Sequence, residues 1–268
     1  MLVCSIGDLT LDVVARLAGP LAPGGDVDAE IAISPGGQAA NVAAWAAALG
    51  ATARFVGKRG DDDAGRFAAA GLRTRGVEIC GPAAGRNAVI CSLVSPDGER
   101  SMASDRGSAP SLAPEEVEAE WLAGCDALFV SGYALFRSPA REAAARAVEL
   151  ARKEGAVVVV DLASWSAIEQ VGVGACRELV AGLRPDAVFA SEAEDRAFGG
   201  PLAGCAWILK RGARGCSFDG DERAALPVER VVDTTGAGDA LAAGWMVGGP
   251  ELGLEAAARC VARLGSMP

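Results

Sequence analysis

Short apolar runs that end on glycine, proline or aspartate alternate along the chain with longer stretches whose apolar residues recur at helical spacing. Leu2 to Ile6 is the first such run; Gly7-Asp8 stops it, and it reads as a buried strand. The Gly- and Pro-rich segment Ala18 to Gly25 reads as loop, and Asp28 to Ser34 alternates apolar and polar residues as a half-exposed strand does. After Pro35-Gly36-Gly37, the Ala-rich stretch Gln38 to Leu49 predicts a helix closed by Gly50. Thr52 to Val56 predicts a strand, Gly57 to Asp63 a loop, and Ala64 to Arg75 a helix capped by Asp62 or Asp63.

From Val77 to Ala103 the pattern changes to short strands, Ala88 to Val94 being the clearest, with turns such as Ser95-Pro96-Asp97-Gly98; this predicts antiparallel β structure. Strands and helices then alternate: Ala127 to Val130, helix Ser138 to Lys153, Ala156 to Val160, helix Ala175 to Gly182, Ala187 to Ala190, a short helix near Glu192 to Phe198, and Ala206 to Leu209. All-apolar strands between helices predict a parallel sheet covered on both faces. The expected fold is α/β: one domain over residues 1–268, three layers α/β/α around a mostly parallel central sheet. A small β lid comes from about 13–35 and part of 77–106. Such an appendage beside the carboxyl edge of the sheet suits a lid, because ligands bind in that crevice.

Composition narrows the chemistry. The 268 residues are 51% hydrophobic and 22% charged, enough apolar material for a large core. There is no histidine, which excludes a Ser-His-Asp triad, a Cys-His pair and an HExxH zinc site; acid-base work falls to carboxylates, Lys, Tyr or Cys. A net charge of −10 argues against nucleic acid as a partner. The 8 cysteines stand singly, without a CxxC pair, as buried reduced thiols do. The opening residues carry no basic segment with a long apolar run, and no apolar stretch reaches a membrane span, so the expected address is the cytoplasm, with no membrane partner.

The strongest chemical signal is Asp233-Thr234-Thr235-Gly236-Ala237-Gly238-Asp239, followed by a helix from Ala240 to Val247. Glycines just before a helix let successive amides converge on one point, and the helix dipole adds to them, which makes an anion site. Asp239 sets a carboxylate beside it, the pairing that phosphoryl transfer to a hydroxyl requires. The alternative is a tight loop at Gly236 and Gly238 with Asp239 as a helix cap. Leu241 replaces the third glycine of a dinucleotide fingerprint, and no Gly-Lys-Ser/Thr triplet of a Walker loop occurs.

Together with Gly36-Gly37-Gln38-Ala39-Ala40-Asn41-Val42-Ala43 and Leu49-Gly50, this segment and Gly244 resemble the paired signatures of the ribokinase-like (PfkB) carbohydrate kinases, in the family's order and near opposite ends of the chain. The resemblance implies a ribokinase-like fold and a kinase that uses ATP and Mg2+ on a small-molecule sugar. It implies Asp239 as the base, with Gly236, Ala237 and Gly238 forming the anion hole. It places Gly7-Asp8, Asp12, Gly36, Gly37 and Asn41 at the sugar, where carboxylate and amide groups pair with hydroxyls.

Arg100 and Arg106-Gly107 match the returning lid, where a guanidinium binds an acidic sugar or stays solvated; Tyr133 lines the sugar pocket or simply packs. Lys210, Gly212 and Gly215 resemble the glycine turn over the nucleotide, although an ordinary hairpin has the same pattern. Glu194 closes the family's Asn-x-x-Glu motif, which orders magnesium through water, but Ser191 stands in the Asn position. Asp233, with Gly265-Ser266, resembles the loop that encloses K+ in some members, a simple chain end being the alternative.

The implied reaction moves the γ-phosphoryl group of ATP to a primary hydroxyl while Asp239 accepts its proton, with no need for a raised pKa, so the expected pH profile has only an ordinary carboxylate limb. The alternatives are a nucleoside kinase of the same fold and a ligand-sensing pseudokinase, the latter suggested by Ser191. Ribose, fructose, 2-keto-3-deoxygluconate and nucleosides all suit the motif set. The lid edge also invites pairing with a second subunit as a homodimer.

Overall fold

The computed structural model describes residues 1–97 and 100–268; the expected turn at Ser95 to Gly98 runs out of the described residues, as does the side chain of Arg100. Among the described residues the main sheet has nine strands. Its parallel part runs, in spatial order, from β5 (Val77–Cys80) through β4 (Thr52–Val56), β1 (Leu2–Ile6), β8 (Ala127–Ser131), β9 (Val157–Asp161) and β10 (Ala187–Ser191) to β11 (Ala206–Lys210). The hairpin β12 (Cys216–Phe218) and β13 (Asp221–Arg223) adds an antiparallel edge.

Alternation along each strand divides the core in two. On β8, Ala127 and Phe129 face one helical layer while Leu128 and Val130 face the other; Val159 and Val158/Val160 of β9 repeat the division. The first layer contains α1 (Gln38–Ala48), α2 (Asp63–Arg73) and α8 (Ala237–Val261). The second contains α4 (Ala140–Lys153), α5 (Trp165–Val171), α6 (Val173–Gly182) and α7 (Glu192–Phe198), with the single turn α3 (Gly132–Leu135) after β8. Asp62 caps α2, accepting from the Gly65 amide at 2.9 Å.

The helix expected to end at Val247 does break there. Gly248 and Gly249 leave helical geometry, Pro250 opens the second half of α8, and the halves fold together so closely that a Cβ on Gly244 would lie 2.5 Å from the Leu252 carbonyl.

The lid is a separate sheet in the order β3 (Ala29–Gly36), β2 (Thr10–Leu17), β6 (Ala88–Val94) and β7 (Arg100–Asp105). Two sequence expectations need correction. The lid begins at Thr10, ahead of the expected 13, with Thr10–Leu17 a full strand, and the region from Val77 is not a uniform antiparallel unit. The α2 crossover returns β5 parallel to β4 in the main sheet, and β6 joins β2 in parallel register.

Candidate active site

The carboxyl ends of the parallel strands deliver the polar groups. Ser131, Asp161, Ser191 and Lys210 close β8, β9, β10 and β11, and Gly7-Asp8 follow β1. Asp161 is fully buried. Its Oδ2 accepts from Lys210 Nζ at 2.6 Å and its Oδ1 from the Ala163 amide at 2.9 Å; Glu194 Oε2 lies 3.8 Å from the same ammonium. Burial works against the charge of Lys210, but Asp161 and Glu194 outweigh it and hold the ammonium above its usual range. The lysine stem passes beneath the anion loop: a Cβ on Gly238 would lie 3.5 Å from Nζ.

The loop itself is built as its glycines suggest. Gly236 is left-handed at φ 80°, and a Cβ there would strike Ser266 at 2.6 Å, so both conformation and space require glycine. The Ala237 amide closes a turn on the Thr234 carbonyl at 3.3 Å. The first helical turn therefore presents the Gly238 and Asp239 amides without a turn partner, as a helix N-terminus offers to an anion.

Asp239, in that turn, accepts from Asn41 Nδ2 at 2.7 Å, and Asn41 Oδ1 accepts from Ser266 Oγ at 3.0 Å. Trp45, one helical turn after Asn41, donates its indole N–H to the Ser266 carbonyl at 2.8 Å. Asn41 thereby orients the carboxylate using both ends of its amide. Burial pushes Asp239 up to about 8, with Asp161 and Asp8 adding to the effect and Asn41 and Lys210 opposing it. That corrects the expectation of an ordinary carboxylate.

Asp12 lies on the inner lid face, where Thr10 Oγ1 donates to it at 2.5 Å; burial moves it up to about 6, against that bond. Gly36 is explained by this carboxylate: a Cβ there would overlap Asp12 Oδ2 at 2.0 Å. Gly37, at φ 100°, brings the chain within 2.4 Å of the Asp8 carbonyl, again measured from the missing Cβ.

Arg106 is largely buried and already ion-paired. It donates to Asp8 Oδ2 at 2.9 Å and stacks 4.0 Å from the Tyr133 ring centre, while Asp8 Oδ1 is buried with no partner among the described residues. Tyr133 thus packs and lines the site together, and burial raises its pKa.

Other motif residues also have local partners. Ser191 and Glu194 form a reciprocal helix cap, Ser191 N to Oε2 at 2.7 Å and Glu194 N to Oγ at 3.3 Å, so the hydroxyl in the Asn position has a local role. Gly212 opens to free space, whereas Gly215 admits the Arg223 carbonyl to 2.0 Å of its missing Cβ and so serves the β12–β13 hairpin. Asp233 accepts from the amides of Thr235 at 2.9 Å and Gly265 at 3.1 Å, fastening the loop to the chain's last turn. The sequence reading missed Asp161. Its signal was a charged residue ending an all-valine strand at the ligand-binding edge.

No group of three or more His, Cys, Asp or Glu side chains among the described residues forms a metal cage, and no helix among them is long and apolar enough to cross a membrane. A cleft of about 590 Å³ lies between the inner lid face and Val231 to Thr235.

Comparison with known proteins places the fold. The chain is 32% identical over 264 residues to fructokinase-1 of Oryza sativa subsp. japonica, covering 89% of this chain and 80% of that one. The solved adenosine kinase of Sinorhizobium meliloti superposes with a TM-score of 0.87 at 26% identity, over 99% of this chain and 95% of the other. A chain from E. coli described as a ribokinase II, solved with ATP and Mg2+, superposes at 0.81 with 22% identity, over 99% and 94%. The family profile described as pfkB family carbohydrate kinase matches residues 1–267. With its anion loop, paired carboxylates and lid in the corresponding fold, the chain belongs to the pfkB family of carbohydrate kinases.

Proposed function

We propose that the protein transfers the γ-phosphoryl group of ATP to a primary hydroxyl of a sugar or sugar-like substrate, with Asp239 as the base. The observation that carries this reading is the bond from Asn41 Nδ2 to Asp239 at 2.7 Å beside the amides of Gly238 and Asp239. It fixes a carboxylate next to an anion hole, where a hydroxyl loses its proton as its oxygen meets the phosphorus. Lys210, beneath Gly238, adds positive charge on the nucleotide side, with Asp161 positioning it. Gly212 and Gly215 shape the turn that follows, and Ser191 holds Glu194 in place.

Magnesium fits this donor set. A strongly hydrated hard cation that rides on nucleotide phosphates needs only one or two carboxylates from the protein, and Glu194 would hold it through water. When bound, the ion neutralises charge on the phosphates. A monovalent cation such as K+ would sit against Asp233; higher turnover in potassium than in sodium tests that part.

Asp8, Asp12, Asn41, Gly36 and Gly37 form the sugar side, with Arg106 and Tyr133 closing it. Arg106 is already neutralised by Asp8, and the unpartnered Asp8 Oδ1 favours a hydroxyl donor over a carboxylate, so a neutral sugar suits the site better than an acidic one. Two of the relatives, a fructokinase and an adenosine kinase, carry names that agree with a hydroxyl-rich neutral acceptor, whereas another, the 5-dehydro-2-deoxygluconokinase of Shouchella clausii, 36% identical over 149 residues, is named for a sugar acid. Lid pairing into a homodimer and a cytoplasmic setting without nucleic-acid or membrane partners complete the reading. ADP formation measured across a panel of sugars is the test: no ADP above the Asp239→Asn background with any acceptor would overturn it and favour a ligand sensor.

A further inference from the structure

Asn41 meets Asp239 with the amine end of its amide, while its carbonyl end accepts from Ser266 Oγ. The two ends of a side-chain amide have nearly the same size and shape, so packing does not decide which of them faces the base. Their hydrogen-bond partners do. An amine turned to Asp239 favours its ionised form, whereas a carbonyl turned to it would favour the protonated one. Asn41 is 5% exposed and Ser266 3%, which leaves little room for water to replace either partner.

Ser266 is itself fixed from several directions. Its carbonyl accepts from the Trp45 indole at 2.8 Å, and the Gly265 amide donates to Asp233 Oδ2 at 3.1 Å. Arg75, beyond the end of α2, donates from Nε to the Pro268 carbonyl at 3.0 Å. A Cβ on Gly236 would lie 2.6 Å from Ser266 Cβ, so the anion loop rests directly against this segment. Trp45 follows Asn41 by one turn of α1, so the same helix carries the amide and the group that fixes the amide's partner. These contacts remove the freedom that an irregular segment otherwise keeps, and they hold the hydroxyl in one place before any substrate arrives.

We propose that Ser266 is a positioning residue for phosphoryl transfer: its hydroxyl, held in place through Trp45, sets the Asn41 amide with its amine toward Asp239 and so keeps the base aimed at the acceptor hydroxyl. The inference rests on the proposed transfer with Asp239 as the base, and it adds no step to that reaction. The charged and titratable groups around Asp239 are Asp8 after β1, Tyr133 on α3, Asp161 and Lys210 at the ends of β9 and β11, and Cys260 on the second half of α8. Ser266→Ala alters none of them, so a change in the titration of Asp239 in that variant reports on Asn41.

The experiment uses the full-length protein with Ser266→Ala, Ser266→Cys, Asn41→Ala and the Ser266→Ala/Asn41→Ala pair, and follows ADP formation against pH with the acceptor that gives the highest rate. Ser266→Ala should lower kcat about tenfold and move the limb of kcat/KM upward by about half a unit to one unit, with KM for ATP held within about twofold. Ser266→Cys keeps the shape and a weak donor and should fall between the two. In the Asn41→Ala background the serine change should be nearly silent, because its effect passes through the missing amide. Losses that multiply in the double variant, or a limb that stays in place, would overturn the proposal. So would a loss seen in potassium and absent in sodium, which would assign Ser266 to a bound cation instead. If no acceptor supports ADP formation, the kinase reading fails separately, and the fall of stability with pH that Asp239→Asn flattens still decides whether Ser266 sets the carboxylate. In Ser266→Ala that fall should reach about half a unit to one unit higher in pH, and an unmoved profile overturns the positioning.

Discussion

The two sheets of this protein differ in how firmly they hold their polar groups, although among the described residues each leaves a buried one unpaired, Asp8 Oδ1 beside the main sheet and Ser92 Oγ in the lid. At the carboxyl edge of the main sheet the central charged groups are fastened on several sides: Asp161 by Lys210 and Ala163, Asp239 by Asn41, and Asn41 by Ser266. The lid is one layer thick. Its inner face leaves Ser92 unpaired and its outer face exposes Ile31 and Ile33. On the proposed reading, chemistry that depends on sub-ångström placement falls to the rigid sheet and selection of the acceptor to the thin one, where side chains change without disturbing the core. Variants should therefore separate cleanly, with main-sheet changes acting on turnover or folding and lid changes acting on substrate choice or association.

The largest expected effect is that of Asp239→Asn. It keeps the size of the side chain and its place opposite Asn41 but removes the base, so turnover should fall roughly 10²–10⁴-fold. Folding should not suffer, because the carboxylate is disfavoured in its charged form by burial. A melting temperature at pH 8 equal to or above that of the unmodified protein, with activity lost, is the expected pair of results. Near-full turnover would remove Asp239 from the reaction.

Lys210→Met comes next and acts on folding. It leaves Asp161 fully buried without its counter-charge, a situation that typically costs about 3–5 kcal/mol. Adding Asp161→Asn should restore most of that stability in a denaturant titration while turnover stays low. If the double variant is no more stable than the single, the ion pair is not what holds this edge.

The pH dependence follows from Asp239, moved by burial from an ordinary 3.8 up to about 8. The base form is required for transfer, so kcat/KM of the free enzyme should climb with pH along a limb near 8, about tenfold per unit below it. Stability runs the other way. The folded protein retains a proton that the unfolded chain has released, so this group makes the fold less stable as pH rises from about 4 towards 8. Asp239→Asn should flatten that part of the stability profile. A limb near 4 would mean that bound magnesium or a rearranged Asn41 offsets the burial.

Most of this edge was legible in the sequence because each part has a local signature. Gly236 before a helix, Asn41 after a double glycine, and all-apolar strands each announce themselves within a few residues. What was not legible depends on contacts between distant segments. Asp161 meets Lys210 across two strands, Arg106 is neutralised by Asp8 from the other end of the fold, and the raised pKa of Asp239 arises from burial that no local pattern contains. Gly36 makes the same point from the opposite side: its motif suggested substrate contact, but its most immediate reason is the Asp12 carboxylate beside it. The lid was harder to read because a half-exposed strand lacks a continuous apolar run, and so its first strand was expected from about residue 13 although it starts at Thr10.

The smallest change is expected at Ile31→Ser with Ile33→Ser, and it bears most directly on the contrast between the sheets. Both residues project from the outer lid face, opposite Ala15 and Val13 on β2, and stand 61% and 57% exposed. Side chains that touch little should cost little: about 0.5 kcal/mol or less each in a denaturant titration, an order of magnitude below Lys210→Met. Apolar residues displayed in this way on an edge sheet instead favour contact with another copy. If the lid pairs as proposed, the double change should move the protein from dimer to monomer in light scattering at matched concentration, with kcat for the preferred acceptor held within about twofold if the main sheet alone sets the chemistry. A loss of several kcal/mol would mean that the lid is as tightly built as the main sheet, and the division of labour argued from its exposure would fail.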